Sequence, residues 1–317
     1  MKRMSELAAA LERAFDGLVD AVGGVTPGWL VLGVTLHLLN QVARGRGWHA
    51  VVTAACDEDA RPRRRDTVAA WVAGAGAGGV VSARGGDAVR VLVLARRSPG
   101  TSRALLTGTL VAECAGETAL GAALLALGLA VGVGPDLGPS AATGLYALAA
   151  LLAATGVYLV ARRSTRVKGF LTKAAHGCTL LRCPKAYSRQ VLPWQVASRV
   201  FRLGALACFL AAFGLPATPA AVLLVVFAQC SGRLVPFSPA SVGAGAAILA
   251  ATFEPVTGRA VSPESLVAFF VGTSTVLTVV GTVLALAICA QASAKAGPSP
   301  ALLGRLMRIR AATAPRP

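Results

Sequence analysis

The residues best equipped for chemistry in this chain are charged groups set among apolar neighbours. Arg84, Gly85, Gly86, Asp87 and Arg90 follow directly on a glycine-rich apolar run. Asp87 and Arg90 are one helical turn apart, and the glycines would let backbone N–H groups approach an anion. The same Arg–Asp–Arg set could equally tie a helix end to its surroundings. Glu113 and Glu117, four residues apart, put two carboxylates on one helix face, where they repel unless a cation or a proton intervenes. Arg84 or Arg90 is the expected partner, and a solvated position at an interface is the other reading. Gln229 and Arg233, also four apart, precede Pro236, Ser238 and Pro239, where a broken helix would offer free backbone donors to a phosphate. Arg233 could instead reach to water along its own stem.

Other chemistries find little support. His37 stands alone in an apolar stretch and reads as a satisfied interior residue, while His49 and His176 are expected in loops, so no His–acid or Ser–His pair is legible. His176, Cys178 and Cys183 have no common zinc spacing, and no metal or cofactor is expected. The seven cysteines are scattered and odd in number, as expected of small apolar side chains inside helices rather than a disulfide framework. No Gly-x-x-x-x-Gly-Lys-Ser/Thr loop for nucleotide phosphates is present.

The elements that must position these groups follow from composition. Of 317 residues 55% are hydrophobic and 14% charged, which excludes an ordinary water-soluble globule. The formal net charge is +17, but the basic residues cluster between apolar runs that each approach the roughly 20 residues needed to cross hydrocarbon. Such a pattern points to a lipid surface and away from nucleic acid. The runs do not alternate as barrel strands would. The expected fold is all-α: a polytopic helical membrane protein of about six to eight crossing helices, with one or two short broken or re-entrant elements.

Residues 1–26 begin with apolar positions at helical spacing (Met4, Leu7, Leu11, Phe15, Leu18, Val22) and predict an amphipathic surface helix. Residues 27–291 form the membrane domain. Its first run starts at Pro27 and is expected to stop at Arg44 and Arg46, with Trp29 and Trp48 bracketing it at the two interfaces. Asp57 through Asp66 reads as a loop, and Thr67–Ala83, with Gly74, Gly76, Gly78 and Gly79, as a short or re-entrant helix. Leu105–Val133 and Ala141–Ala161 are longer runs, joined by a turn over 134–140. The basic segment 162–198 reads as cytoplasmic, with a helix at Val167–Leu181 that either lies on anionic lipid headgroups or packs on another part of the protein. Trp194, Gln195 and Arg199 read as an interfacial anchor. Spans near Val196–Phe213, Pro219–Val235 and Leu266–Gln291 follow, with a second broken element after Pro239, and Glu254–Glu264 is expected outside. Residues 292–317 make a basic tail.

Two short motifs resemble a known family. Ser82-Ala-Arg-Gly-Gly-Asp-Ala-Val-Arg90 is similar to Pro-Ala-Arg-x-Gly-acid-x-x-Arg, and Pro236-Phe-Ser-Pro-Ala-Ser-Val-Gly243 to Pro-x-Ser-Pro-Gly-Gly-x-Gly, of the transmembrane region of bacterial lysylphosphatidylglycerol synthases. Glu113 and Glu117 stand where that family tends to carry two acids. Ser82 replaces a proline, Ala240 and Ser241 replace glycines, and Ala246 stands where a glutamate is usual. The resemblance covers roughly residues 27 to 291. It implies a helical domain, not an enzyme, in the cytoplasmic membrane that binds an amphiphilic lipid (a phospholipid, an aminoacylated lipid or a polyprenyl-linked lipid) and moves it between leaflets. Arg84, Gly86, Asp87, Arg90, Glu113, Glu117, Gln229, Arg233, Ser238 and Pro239 are the expected substrate-binding residues. A non-transporting scaffold for a membrane protein partner is the alternative, and an enzyme acting on lipid phosphate a more distant one.

Overall fold

The computed structural model describes residues 23–80, 83–98, 100–130, 165–232 and 238–296. The expected surface helix up to residue 22, the run Ala141–Ala161, the turn over 134–140, Arg233 and the tail beyond 296 lie outside these residues. Among the described residues there are ten α-helices, two short 3-10 turns and no strand, as an all-α chain requires.

Helix α1 (Pro27–Ala55) begins where Pro27, with its fixed φ and missing N–H, suits the first helical turn. It does not stop at Arg44. Its 29 residues continue to Ala55 for ~43 Å, more than the ~30 Å of a hydrocarbon core. Trp29 is half exposed, as a bordering aromatic should be, whereas Trp48 is fully buried and donates its Nε1–H to Thr109 Oγ1 at 3.0 Å. Trp48 is therefore a core residue and not an interfacial one.

The glycine-rich run forms α2 (Arg64–Val80), which also absorbs Arg64–Asp66 from the expected loop. The chain then turns back into α3 (Ala83–Arg97). The two are antiparallel. Asp66 pairs with Arg97 at the open end (3.2 Å), and Gly74 lies against Gly86 and Arg90 farther in. A methyl group on Gly86 would come within 3.0 Å of Gly78 Cα, so the glycines permit direct backbone approach, the known use of small residues between membrane helices. At 17 and 15 residues both arms are shorter than the ~20 that a crossing helix needs. The expected broken element is thus a helical hairpin.

Helix α4 (Arg103–Ala130) runs antiparallel to α1, and α5 (Thr165–Gly177) packs on it through Ala174 and Gly177 against Gly108 and Leu105. Of the two readings for this basic helix, the described contacts favour packing on the protein. After α6 (Pro184–Gln190), α7 (Leu192–Ala212) lies antiparallel along α1: Gly47 faces Trp194, Gly33 faces Phe209, and Thr26 N–H donates to Ala212 O at 2.8 Å. Helices α8 (Pro219–Gly232) and α9 (Ser238–Thr257) form a second pair, and α10 (Pro263–Ala296) crosses α2 where Gly281 meets Gly76. Two described stretches, Leu192–Ala212 and Pro263–Gln291, are long and apolar enough to cross a membrane.

These contacts sort the helix termini between two ends. The C-terminus of α1, the open end of α2–α3, the start of α4, α6 and the start of α7 share one end, which carries Arg61, Arg63, Arg64, Arg65, Arg96, Arg103 and Lys185. The other end holds the open end of α8–α9 and the loop with Glu254, Arg259 and Glu264. The two hairpins therefore enter the bundle from opposite ends. Trp48, Trp71, Leu94 and Leu106 pack the core near the basic end, and Phe209, Leu224, Leu249, Phe253 and Phe269 pack it near the other.

Candidate functional site

The site assembles where the first hairpin meets α1, α4 and α7. Arg44 on α1 sits inside a largely apolar helix because carboxylates meet it there: its Nη2 lies 3.2 Å from Glu113 Oε1 and 2.9 Å from Glu117 Oε2. Arg199 on α7 reaches Glu117 from another side, 3.1 Å to Oε2 and 2.9 Å to the Glu117 carbonyl. Glu113 is 1% exposed, so leaving it unpaired would cost several kcal/mol in such a setting. Two cations answer two carboxylates, which removes the repulsion that the four-residue spacing creates.

A third cation adjoins them. Arg90 on α3 pairs with Asp87 at 2.7 Å, and its Cζ lies 3.8 Å from the centre of the Trp71 ring. Arg44 Cζ lies 4.8 Å from the same ring. One indole thus faces two guanidinium groups, each contact contributing about 0.5–2 kcal/mol. Among the described residues the buried Nε atoms of Arg44, Arg90 and Arg199 have no hydrogen-bond partner.

Gln195 fixes the edge of the cluster. It is 2% exposed and donates Nε2–H to the Glu113 carbonyl (3.2 Å) and to Tyr187 Oη (3.0 Å). Gly116 makes this possible, since a Cβ there would collide with Tyr187 Oη. Burial pushes the Tyr187 phenol above its usual pKa against the Gln195 hydrogen bond, and the Glu113 and Glu117 charges add to the rise, so it remains a neutral O–H.

Several expectations are corrected by these contacts. The described partners of Glu113 and Glu117 are Arg44 and Arg199, while Arg90 pairs with Asp87. Gln195 and Arg199 are members of the cluster, not an interfacial anchor. Gly86, in the first turn of α3, packs closely against Gly74 and Gly78 of α2. His37, by contrast, is satisfied as expected, its Nε2 lying 3.1 Å from Gln41 Nε2. Gln229 accepts from Arg202 Nη2 at 2.8 Å, away from the cluster. Arg84 lies in the first turn of α3 and Ser238 and Pro239 open α9, and their side chains, like all of Arg233, are outside the described residues.

The sequence profile described as the lysylphosphatidylglycerol synthase TM region matches residues 4–287. The chain belongs to that family. None of the curated proteins and none of the solved structures compared matches it. The lysylphosphatidylglycerol synthase TM region is the non-catalytic membrane part of that synthase, so the chain is a membrane protein related to lipid handling. The match reaches back into the N-terminal segment, beyond the stretch that the motifs alone had covered. Within this family member, two signals in the sequence could have found the missing cations. One is Arg44, which has apolar residues on both sides of it, at Val42–Ala43 and at Val51–Val52. The other is the spacing of Gln195 and Arg199, four apart like Glu113 and Glu117, on helices that prove to lie parallel.

Proposed function

We propose that the chain is a multi-pass protein of the cytoplasmic membrane, its basic end inside, that binds an amphiphilic lipid and moves it between leaflets. The observation that carries this reading is the cluster of three arginines and three carboxylates, with Glu113 buried and Asp87 half exposed, beside a broken helical hairpin. Ionisable groups inside a bilayer are costly and mark substrate paths by default. Ion pairs are also exchangeable partners: a phosphate can take an arginine from its carboxylate, whereas an apolar contact offers nothing to a headgroup. The hairpins entering from opposite ends supply the broken helices that membrane transporters place around a central site. With no nucleotide-binding loop in the sequence, movement runs downhill or is coupled to an ion.

The test is reconstitution of the full chain in liposomes, following transbilayer movement of fluorescent anionic, zwitterionic and cationic phospholipids. The Asp87→Asn/Arg90→Gln double variant removes a charge pair together and strands neither partner. Movement by the native chain that this variant loses supports the reading. Absence of movement for every lipid overturns it.

One observation favours a second reading, a scaffold for another membrane protein. Along α10 only 11% of the apolar span is covered by the rest of the chain, and Val279, Val283 and Leu286 stand exposed in a row. Crosslinking from Val283→Cys to a distinct protein, together with inactivity in liposomes, would favour that reading.

A further inference from the structure

Helix α1 carries a second polar feature next to the ionic cluster. His37, Gln41 and Arg44 lie on one face, four and three residues apart. Trp71 Nε1–H donates to Gln41 Oε1 at 3.2 Å, and Gln41 Nε2 lies 3.1 Å from His37 Nε2. An amide nitrogen only donates, so His37 Nε2 accepts and the imidazole keeps its proton on Nδ1. Arg202 on α7 is close enough to act electrostatically on His37, and it donates to Gln229 Oε1 on α8 at 2.8 Å. The row therefore connects Trp71 in the first hairpin with Gln229 in the second. His37 and Gln41 are only half-buried.

Each hairpin opens at its own end of the bundle, so a headgroup admitted by one must still traverse the middle to reach the other. Bare hydrocarbon there would strip its hydrogen bonds. The seven-residue advance from His37 to Arg44 covers ~10 Å along α1, about a third of the ~30 Å hydrocarbon thickness. The side chains along this stretch are rich in donors: the Trp71 indole, the Gln41 amide, the His37 imidazole and the Arg202 guanidinium. Such a set suits a phosphate and offers little to an ammonium group.

We propose that His37 and Gln41, flanked by Arg202 and Gln229, form the track on which the headgroup phosphate of an anionic phospholipid passes between the two hairpins. This rests on the translocator reading above. Arg44 and Arg90 hold the phosphate, and the His37–Gln41 row passes it on by exchanging its own hydrogen bonds for bonds to the phosphate oxygens. His37 and Gln41 are thus transit residues, while retention of the lipid belongs to the arginines.

Two readouts on the full-length chain separate these roles. The first is transbilayer movement of a fluorescent anionic phospholipid in liposomes. The second is calorimetric binding of dihexanoyl phosphatidic acid to the protein in neutral detergent, with inorganic phosphate as the second ligand. His37→Leu and Gln41→Leu are expected to slow movement about tenfold, the effect of one lost hydrogen bond in the barrier, with binding within about threefold of native. His37→Gln, which keeps a donor, is expected to restore most of the rate. Movement at the native rate in both leucine variants overturns the track and leaves the translocator reading standing. Equal slowing by His37→Gln also overturns it, since the residue then acts only in packing. A native chain that binds inorganic phosphate as tightly as the lipid overturns the lipid source, and a native chain that moves no lipid overturns the parent reading and the track together.

Discussion

The two hairpins solve one architectural problem by different means. In α2–α3 the backbones approach through Gly74, Gly78 and Gly86, and the space beside them is filled by Arg90, Trp71 and Arg44. In α8–α9 the filling among the described side chains is apolar: Leu224, Val225, Leu249 and Phe253 are buried together with Phe209 and Phe269 of the neighbouring helices. Gln229 is the one side chain of α8 whose hydrogen bond, to Arg202, is described. Among the described residues of the two hairpins, ion pairs occur only in the first. The charges at the first hairpin are an addition, and their expense is the reason to read function there.

The largest expected difference between the hairpins comes from stranding a charge. Arg44→Leu leaves Glu113 without its described cation and should cost about 3–5 kcal/mol, whereas Gln229→Leu at the second hairpin should cost about 1 kcal/mol. Unfolding of the two variants in one detergent compares them directly, and equal losses would break the contrast. A smaller effect is expected from closing the glycine contacts. Gly76→Ala drives a methyl group into the Gly281 backbone and should cost about 1–3 kcal/mol, because a backbone cannot rotate away. Gly245→Ala meets chiefly the Phe270 ring, which can turn, so less than about 1 kcal/mol is expected in the same measurement.

A last effect, pH-dependent, sharpens the edge of the charged region. Tyr187→Phe removes the phenol that donates to Gln195 Oε1 at 3.3 Å and accepts from Gln195 Nε2 at 3.0 Å, and should cost about 0.5–1.5 kcal/mol at neutral pH. Since the phenol is raised in the folded protein, its contribution is whole below the unfolded value near 10 and is lost as pH rises through the folded value. A stability profile taken from pH 8 to 11 should therefore fall more steeply for the native chain than for Tyr187→Phe. Parallel profiles would remove Tyr187 from the cluster.

Much of the fold was legible because hydropathy and glycine spacing are local. The start at Pro27, the broken element near Thr67–Ala83 and the length of α4 all follow from runs of neighbouring residues. The site was half legible. Asp87 with Arg90 and the Glu113–Glu117 pair were found because each is a local spacing. In the sequence Arg44 marks the end of a span, since nothing local indicates that carboxylates 69 and 73 residues away in the chain will meet it. Trp48 was assigned to an interface for the same reason: its burial depends on Thr109 and Trp71.

The sequence by itself determined that this chain is helical, apolar enough for a membrane, basic, and marked by two broken elements with charged or polar motifs. Those properties are sums over neighbouring residues or spacings within one helix. Only the tertiary structure decided that Arg44 and Arg199 answer Glu113 and Glu117, and that the hairpins enter from opposite ends. The choice of partner depends on which helices lie side by side and in which direction. In a low-dielectric interior a charge is tolerated only where a partner from another helix arrives within a few ångströms.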